Sequence, residues 1–520
     1  MKTKQLFFCS LTGLALLTAS CSSNDEALNG GDGTTSEGKT YAQIAISVAN
    51  SATTRTTTPG NTGDEAYGDD AEYTVNDLTV VLANENNIAM QVITPTLKTA
   101  TNTDDDDKLV RVTEPFKCTP GTYKVYVLAN YKNSQDALTP IIKGSTDMKA
   151  EFGITNIAKL STTDEFFMTN VSAPEGQEIK EAATGKELND AGKDETKEGA
   201  ATNLNILTVN VERAVSKVTF DNTDNQSFNV MVGDNKIATA TLEGASLINL
   251  NKKMYLVKEG RTATNKPAGV TDKWPYPMDP NYSQTSIDEA YCKANFEQRI
   301  AKNFPAPSAT KFYCPENTMA GAAQLNGQTT GVVYKVKYAP EAAYYTELAA
   351  ENGTDSYSKM YEKVLALGKT EIAPTITNTI FTKADNEDGT FYSYNGYVFR
   401  SLAGARLYKA IATNTDGEAA TVNGAFKTEN NDGIQTYDEG YCYYTAWIKH
   451  NPGGTTMQQD KYGVVRNFWY ELKVNSIKKL GYSKPTYEKP TDPDDKAEAS
   501  IQVQVKIKKW RLVKQNVDLE

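Results

Sequence analysis

The chain has 520 residues, 39% apolar and 23% charged, and its 65 acidic against 54 basic side chains leave a net charge of −11. A mean hydropathy of −0.52 excludes a multi-span membrane protein, and an acidic balance without a basic patch argues against nucleic acid or anionic membrane surfaces as partners. The length predicts two or three domains, and the single histidine, His450, excludes any centre that needs two from one chain.

At the start, Lys2 and Lys4 precede an apolar run from Leu6 to Leu17, followed by Thr18-Ala19-Ser20-Cys21. This pattern predicts a signal peptide over residues 1–20, with Cys21 becoming the diacylated first residue of a lipoprotein. Leucine stands four residues before that cysteine, where such sites carry it three before, so an ordinary secretory signal is the alternative. Ser22–Glu26 (SSNDE) is similar to the surface-export tags of Bacteroidetes lipoproteins, and Gly30–Glu37 reads as a flexible tether. Cys118, Cys292, Cys314 and Cys442 remain, in no C-x-x-C spacing, so no metal site is expected. Buried free thiols are the favoured reading, although an oxidising compartment would let Cys292 pair with Cys314.

Tyr41–Asn50 alternates, with Ile44, Ile46 and Val48 on one face, and predicts a half-buried strand. The Thr-, Gly- and Pro-rich loop Ser51–Gly63 follows, with Arg55 in its middle. Further strands are expected at Thr79–Leu82 and, after the turn Pro120-Gly121, at Tyr123–Leu128. Asp104–Lys108 (DDDDK) reads as an acidic surface loop lacking the alternating ligands and glycine of a calcium site. Glu175–Ala201 reads as a long insertion or linker, with a domain boundary just before Leu204–Phe220, where strand patterning resumes.

Helices are expected at Ser286-Ile287-Asp288-Glu289, with Ser286 as N-cap and Glu289 at N3, and over Ser356–Leu367. The turns Asp388-Gly389, Asp416-Gly417 and Asp432-Gly433 punctuate a β-rich second half, which includes strands at Tyr443–Ile448 and Asn467–Ile477. His450 reads as a turn residue. Ser483–Ser500 is a Pro- and Asp-rich linker.

Ile501, Val503, Val505 and Ile507 then alternate with Gln502, Gln504 and Lys506, and the phase changes at Trp510 and Leu512 and again at Val513, Val517 and Leu519. Extended at roughly 3.3 Å per residue, Ile501–Leu519 would reach about 60 Å, too long for one edge strand of a small sandwich. Two consecutive strands joined by a bulge or bend are expected. Such a segment either folds back on its own domain or, held away by the linker, enters a groove on another copy. Four buried aliphatics would contribute about 6–12 kcal/mol before ordering costs. If Tyr41–Asn50 fills that groove, a trypsin-like cut at Arg55 would expose it and release the lipid at Cys21 in one step.

Several further segments stand out: Val209-Asn210-Val211-Glu212-Arg213-Ala214-Val215-Ser216-Lys217-Val218, Tyr443-Tyr444-Thr445-Ala446-Trp447, Val465-Arg466-Asn467, Ser476-Ile477-Lys478-Lys479-Leu480-Gly481, Lys509-Trp510 and Val517-Asp518-Leu519. In combination they resemble the fimbrilins of Bacteroidales, subunits of type V pili, and specifically the Mfa-type shaft subunit. Lys124-Val125-Tyr126-Val127 adds an amino-terminal match. The resemblance implies an all-β fold of two transthyretin-like Greek-key β-sandwich domains, with short helical insertions and a detached C-terminal donor strand. It also implies a precursor anchored at the outer membrane, an arginine-specific protease cutting between Arg55 and Thr56, and polymerisation by strand exchange.

The expected division is a lipidated propeptide over 21–55, domains over 56–203 and 204–482, a linker over 483–500 and a donor strand over 501–520. The donor residues would be Ile501, Val503, Val505, Ile507, Trp510, Leu512, Val517 and Leu519, entering the groove left by Ile44, Ile46 and Val48. Partners would be other copies of the chain, accessory pilins, the protease and host or bacterial surface receptors, in a cell-surface fimbrium serving adhesion and biofilm formation. No catalytic residue and no cofactor is expected, since no P-loop, metal motif or Ser/His/Asp set is present. The alternatives are a tip or anchor pilin, or a monomeric surface lipoprotein that binds glycans or host proteins.

Overall fold

The computed structural model describes residues 40–48, 65–98, 109–180, 205–222, 226–259, 276–307, 310–341, 388–413, 431–485, 489–497 and 501–511; at 65–67, 109–110, 403, 407, 411–412 and 507–511 it describes backbone alone. The first half contributes β1 (Thr40–Val48), β2 (Glu65–Tyr67), β3 (Leu78–Ala83), β4 (Ala89–Ile93), β5 (Leu109–Val112), β6 (Phe116–Cys118), β7 (Gly121–Ala129), β8 (Met168–Asn170) and β9 (Gly176–Ile179). The second contributes β10 (Asn205–Arg213), β11 (Val215–Phe220), β12 (Ser227–Val232), β13 (Asn235–Ile248), β14 (Phe312–Pro315), β15 (Gly331–Pro340), β16 (Tyr441–Trp447), β17 (Phe468–Ile477) and β18 (Ile501–Arg511). Each of the strands expected at Tyr41, Thr79, Tyr123, Leu204, Tyr443 and Asn467 is present, and Gly121 opens β7 at φ +149° behind Pro120.

Three principal sheets result. The first runs β4-β3-β7-β8-β10-β1-β5, with β9 added on β7 and β6 on β1. The second runs β2-β18-β17-β11-β14, and the third β12-β13-β15-β16. The fold is all-β. Its buried apolar residues fall into two main clusters: one from Ala42 to Leu256 under the first sheet, and one from Val218 to Val505 between the second and third sheets.

The change of cluster does not fall at residue 204. β10 lies wholly in the first sheet, paired with β1 and β8, and β11 begins the second sheet after Ala214 alone. One strand path thus crosses from sheet to sheet, and contacts keep Gly38–Glu520 in a single unit.

Helix α1 spans Glu289–Asn295, and its N-cap is Asp288, whose carboxylate accepts from Tyr291 N at 2.7 Å, not Ser286. The aspartate lies one residue before the first turn and meets its open N–H directly, while Ile287 before it is already buried. Helix α2, Leu402–Thr413, was not anticipated, although Leu, Ala, Arg and Lys there are good helix formers. The expected helix at 356–367, the DDDDK loop and the turn Asp416-Gly417 lie outside the described residues.

His450 sits in the bend that follows β16, just before the turn at Pro452-Gly453, as its reading as a turn residue expects. It is fully buried, with Nδ1 2.6 Å from the Tyr470 hydroxyl and its ring edge-on to Phe468. A ring with two nitrogens can be buried when a hydroxyl meets it, and Tyr470 is itself fixed by the N–H of Val465 at 2.8 Å.

Candidate functional site

The first strand sits inside the first sheet, between two neighbours. It pairs parallel with β10 from Ala42↔Asn205 to Val48↔Val211. On its other side it runs antiparallel to β5, from Ala45↔Val112 to Val48↔Leu109, and to β6, from Thr40↔Cys118 to Ala42↔Phe116. At the break between β5 and β6 the Thr113 hydroxyl accepts from Ile44 N at 3.1 Å, Thr113 N donates to Ile44 O at 2.9 Å, and Gln43 donates to Thr113 O at 2.7 Å. Both edges of β1 are therefore occupied.

Its alternating face follows from the sequence. Ala42, Ile44, Ile46 and Val48 are all fully buried in the first core. Removing this strand would leave a slot walled by β10 on one side and by β5 and β6 on the other. Nine residues at roughly 3.3 Å each make that slot about 30 Å long. Arg55, Thr56 and Cys21 lie outside the described residues.

The C-terminal strand is docked on its own subunit. β18 runs antiparallel to β17 from Ile477↔Ile501 to Phe468↔Lys509, so the expectation of a detached strand is corrected over Ile501–Arg511. Ile501 and Val505 are buried and Val503 half-buried, while Gln502, Gln504 and Lys506 face outward. The alternation finds the apolar core of its own domain, which is reason enough for it to fold back. Ile507 pairs with Tyr470 and Trp510 with Ala66 by backbone register. The strand is continuous across the expected phase change at Lys508–Trp510, and the irregularity in this pair lies in β17, between Val474 and Ser476. Leu512, Val517 and Leu519 lie outside the described residues.

The linker before β18 is also held down where it is described. Asp492 and Pro490 carbonyls accept from Asn326 N and Gly327 N, both at 2.9 Å, and Asp494 N donates to Gln324 O at 3.2 Å. Asp494 is fully buried with the Thr329 hydroxyl donating to its carboxylate. Asp495 takes Met457 N at 2.8 Å, the Tyr462 hydroxyl at 2.7 Å and an ion pair with Lys461. Pro and Asp here serve as anchored turns and not as a spacer.

The seam between the two cores gathers the quoted segments 209–218 and 465–467. Arg213 Nε donates to Asn467 Oδ1 at 3.0 Å, and Asn467 N donates to Val215 O at 2.8 Å. Lys217 forms a buried ion pair with Glu72 at 2.7 Å and lies 3.8 Å from the centre of the Trp469 ring. The Tyr313 hydroxyl donates to the same Glu72 carboxylate at 2.5 Å. Arg466 pairs with Glu316 at 3.3 Å and donates to the carbonyls of Tyr255, at 2.7 Å, and Leu256, at 3.1 Å. Lys258 pairs with Glu212 at 2.8 Å.

Burial pushes the Lys217 ammonium below its usual pKa, opposed by Glu72, and lowers the Arg213 guanidinium to about 10. Burial raises the Glu212 carboxyl, against the pull of Lys258. These pairs fix the seam geometrically, since buried ion pairs specify an arrangement more than they stabilise it. Glu72, Tyr313 and Glu316 carried no signal in the sequence; Glu72 stands in an acidic run that reads as solvated surface.

Cys118, Cys292, Cys314 and Cys442 are buried free thiols. Among the described residues no group of three His, Cys, Asp or Glu is arranged to hold a metal, and no helix is long and apolar enough to cross a membrane.

Residues 42–256 match the family described as major fimbrial subunit protein (FimA). Residues 435–516 match the family described as major fimbrial subunit protein type IV, fimbrillin, C-terminal. No curated protein matches the sequence. Among solved structures, a candidate cell adhesion protein from Parabacteroides distasonis is 12% identical, covering 92% of this chain and 99% of its own, with a TM-score of 0.41. A fimbrilin (FimA) from Porphyromonas gingivalis is 13% identical over 92% of this chain and 99% of its own, with a TM-score of 0.36. The tip fimbrial protein Mfa3 from the same organism is 11% identical over 90% and 100%, with a TM-score of 0.28. These likenesses all fall below a TM-score of 0.5, and the assignment comes from the two family matches, which contain the seam segments 209–218 and 465–467 and take in most of β1 and all of β10, β17 and β18. The chain belongs to the fimbrilin family of fimbrial subunit proteins.

Proposed function

We propose that this fimbrial subunit is the polymerising shaft protein of a cell-surface pilus. It would be exported as a precursor lipidated at Cys21, anchored at the outer membrane, and cut between Arg55 and Thr56 by an arginine-specific protease. The cut frees β1, and the C-terminal segment of another copy, Ile501–Leu519, fills the slot. The observation that carries this reading is the embedding of β1: four fully buried apolar side chains at a period of two, on a strand joined to the body through the loop that holds Arg55. Ile501, Val503, Val505 and Ile507 repeat that period, so an incoming strand could re-cover the core and pair with β10, β5 and β6.

The replacement re-covers the core of the accepting copy, because the two strands bring apolar faces of similar size, while the donating copy withdraws Ile501 and Val505 from its own second core. Accessory pilins would cap or anchor such a filament, and its exposed surfaces would serve adhesion and biofilm formation through host or bacterial receptors. Two sandwich domains, divided at Ala214, and a Greek-key order of strands belong to the same proposal.

The docked β18 favours a second reading, a monomeric surface lipoprotein that keeps its first strand. N-terminal sequencing and intact mass of surface-derived protein separate the two. A start at Thr56 with SDS-resistant ladders is expected for the shaft subunit. A diacylated start at Cys21 with monomer alone would sink it.

A further inference from the structure

β18 is not held equally along its length. From Ile501 to Lys509 it pairs with β17, and at Ile501–Val503 it borders a cleft of about 240 Å³ lined also by Trp447, Lys449, Tyr462 and Lys478. At Lys509–Arg511 a second strand closes on it: β2 runs parallel, in the register Glu65↔Lys509, Ala66↔Trp510 and Tyr67↔Arg511. At Lys509 the strand is therefore held between β2 and β17, and at Trp510 and Arg511 β2 is the strand paired with it.

Three residues of parallel pairing hold little by themselves, but β2 is tied down close by. It leads into a short turn, Asp70–Glu72, whose capping box joins Asp69 and Glu72. Glu72 is the acid that Lys217 and Tyr313 bind in the seam, and Asp69 is paired with Lys311. Arg213 Nη1 also donates to Glu72 O at 3.5 Å. The buried end is fixed by the seam, the free end lies over β18, and both belong to a segment directly downstream of the loop that carries Arg55.

We propose that Glu65–Glu72 is a strap that retains the C-terminal strand in its own subunit, with Glu72 as its buckle. The strap makes β18 leave only when β2 lifts, so that the end of the chain needed elsewhere is withheld until the segment behind Arg55 is disturbed. Its importance for assembly rests on the reading of β18 as the donated strand.

Hydrogen exchange on the full chain tests it. Ala66→Pro and Tyr67→Pro are made separately, because alternate residues of a parallel pair aim their N–H at the partner and one of the two must lie in the ladder. Glu72→Gln opens the buckle without touching β2. At least one proline variant, and Glu72→Gln, should speed exchange at Lys509–Arg511 by about tenfold or more while β1 and β10 stay protected. Unchanged protection at Lys509–Arg511 in both folded proline variants overturns the strap, and the proline variants decide the matter even where Glu72→Gln does not fold. Filament growth is followed on the same samples. Faster exchange without any change in growth leaves the strap standing and counts against β18 as donor, whereas failure of the strap shows in exchange whatever the filaments do.

Discussion

Lys217 and Glu72 meet across the seam between the two cores, ammonium to carboxylate at 2.7 Å, with their side chains 1% and 2% exposed. Each also has a second partner: the Trp469 ring lies 3.8 Å from the Lys217 nitrogen, and Tyr313 donates to Glu72. With these partners the pair joins four distant stretches of chain: the turn behind β2, β11, β14 and the start of β17. A charge buried this deeply is tolerable because its partners are all in place.

Removing one member should therefore cost more than removing both. Lys217→Met leaves the Glu72 carboxylate buried without its cation and is expected to destabilise the chain by about 3–5 kcal/mol. Lys217→Met with Glu72→Gln should recover most of that loss. Urea unfolding of the two single variants and the double closes the cycle. Strict additivity would show that the two side chains do not act as a unit.

Much of this architecture was legible because strand periodicity is local. Ile44, Ile46 and Val48 show their face in the sequence, as do Ile501, Val503 and Val505, and the structure buries or half-buries each of them. What periodicity does not contain is the identity of the neighbour. An alternating strand behind a Pro- and Asp-rich linker looks the same whether it docks at home or abroad, and it is the ladder with β17, with the anchoring of Asp494 and Asp495, that shows this one docked at home. The seam was half legible: Arg213, Lys217, Arg466 and Asn467 stand in the quoted segments. Their partners Glu72 and Glu316 are acids that no pattern marks, and Tyr313 stands in the short strand Phe312–Pro315, which was not anticipated from the sequence. A buried charge and a solvated one are written with the same letter.

Ile46→Ala deletes buried volume from β1, and in the full chain it should cost about 2–5 kcal/mol. If subunits are cut at Arg55 before assembly, as proposed, the filament no longer contains that residue. Its thermal stability should match that of wild-type filaments. Differential scanning calorimetry on precursor and on filament makes the comparison. A filament destabilised as much as the precursor would mean that β1 stays in the assembled subunit.

The four thiols should be inert. Burial pushes Cys118, Cys314 and Cys442 up to about 12 and raises Cys292 as well, so almost no thiolate exists near neutral pH. Processed protein is expected to react with a thiol reagent only as fast as it unfolds, and to show all four groups in denaturant. Rapid labelling of Cys292 or Cys314 in the native state would place that thiol at a surface.

Asp279 should make the second core sensitive to alkali. Its carboxyl is buried and raised to about 8, chiefly by desolvation, although Thr318 N at 2.8 Å, Asn281 N at 2.7 Å and Asn251 Nδ2 at 3.0 Å all donate to it. Glu316 is the nearby acid that adds to the rise, and Tyr276, Tyr282 and Tyr291 are the buried or half-buried phenols around the same cluster. Because the folded pKa lies above the unfolded value, the native chain holds a proton that the unfolded chain has lost. Stability must then fall as pH rises from the ordinary carboxylate range toward about 8, and level off above it. Asp279→Asn removes the titration, so its unfolding free energy should be flatter across that window, even though an amide cannot accept from all three donors and the variant starts less stable. Urea midpoints from pH 5 to pH 9, a range chosen to bracket roughly the neutral form and the ion, measure the slope in both proteins. Equal slopes would assign the pH dependence to another group.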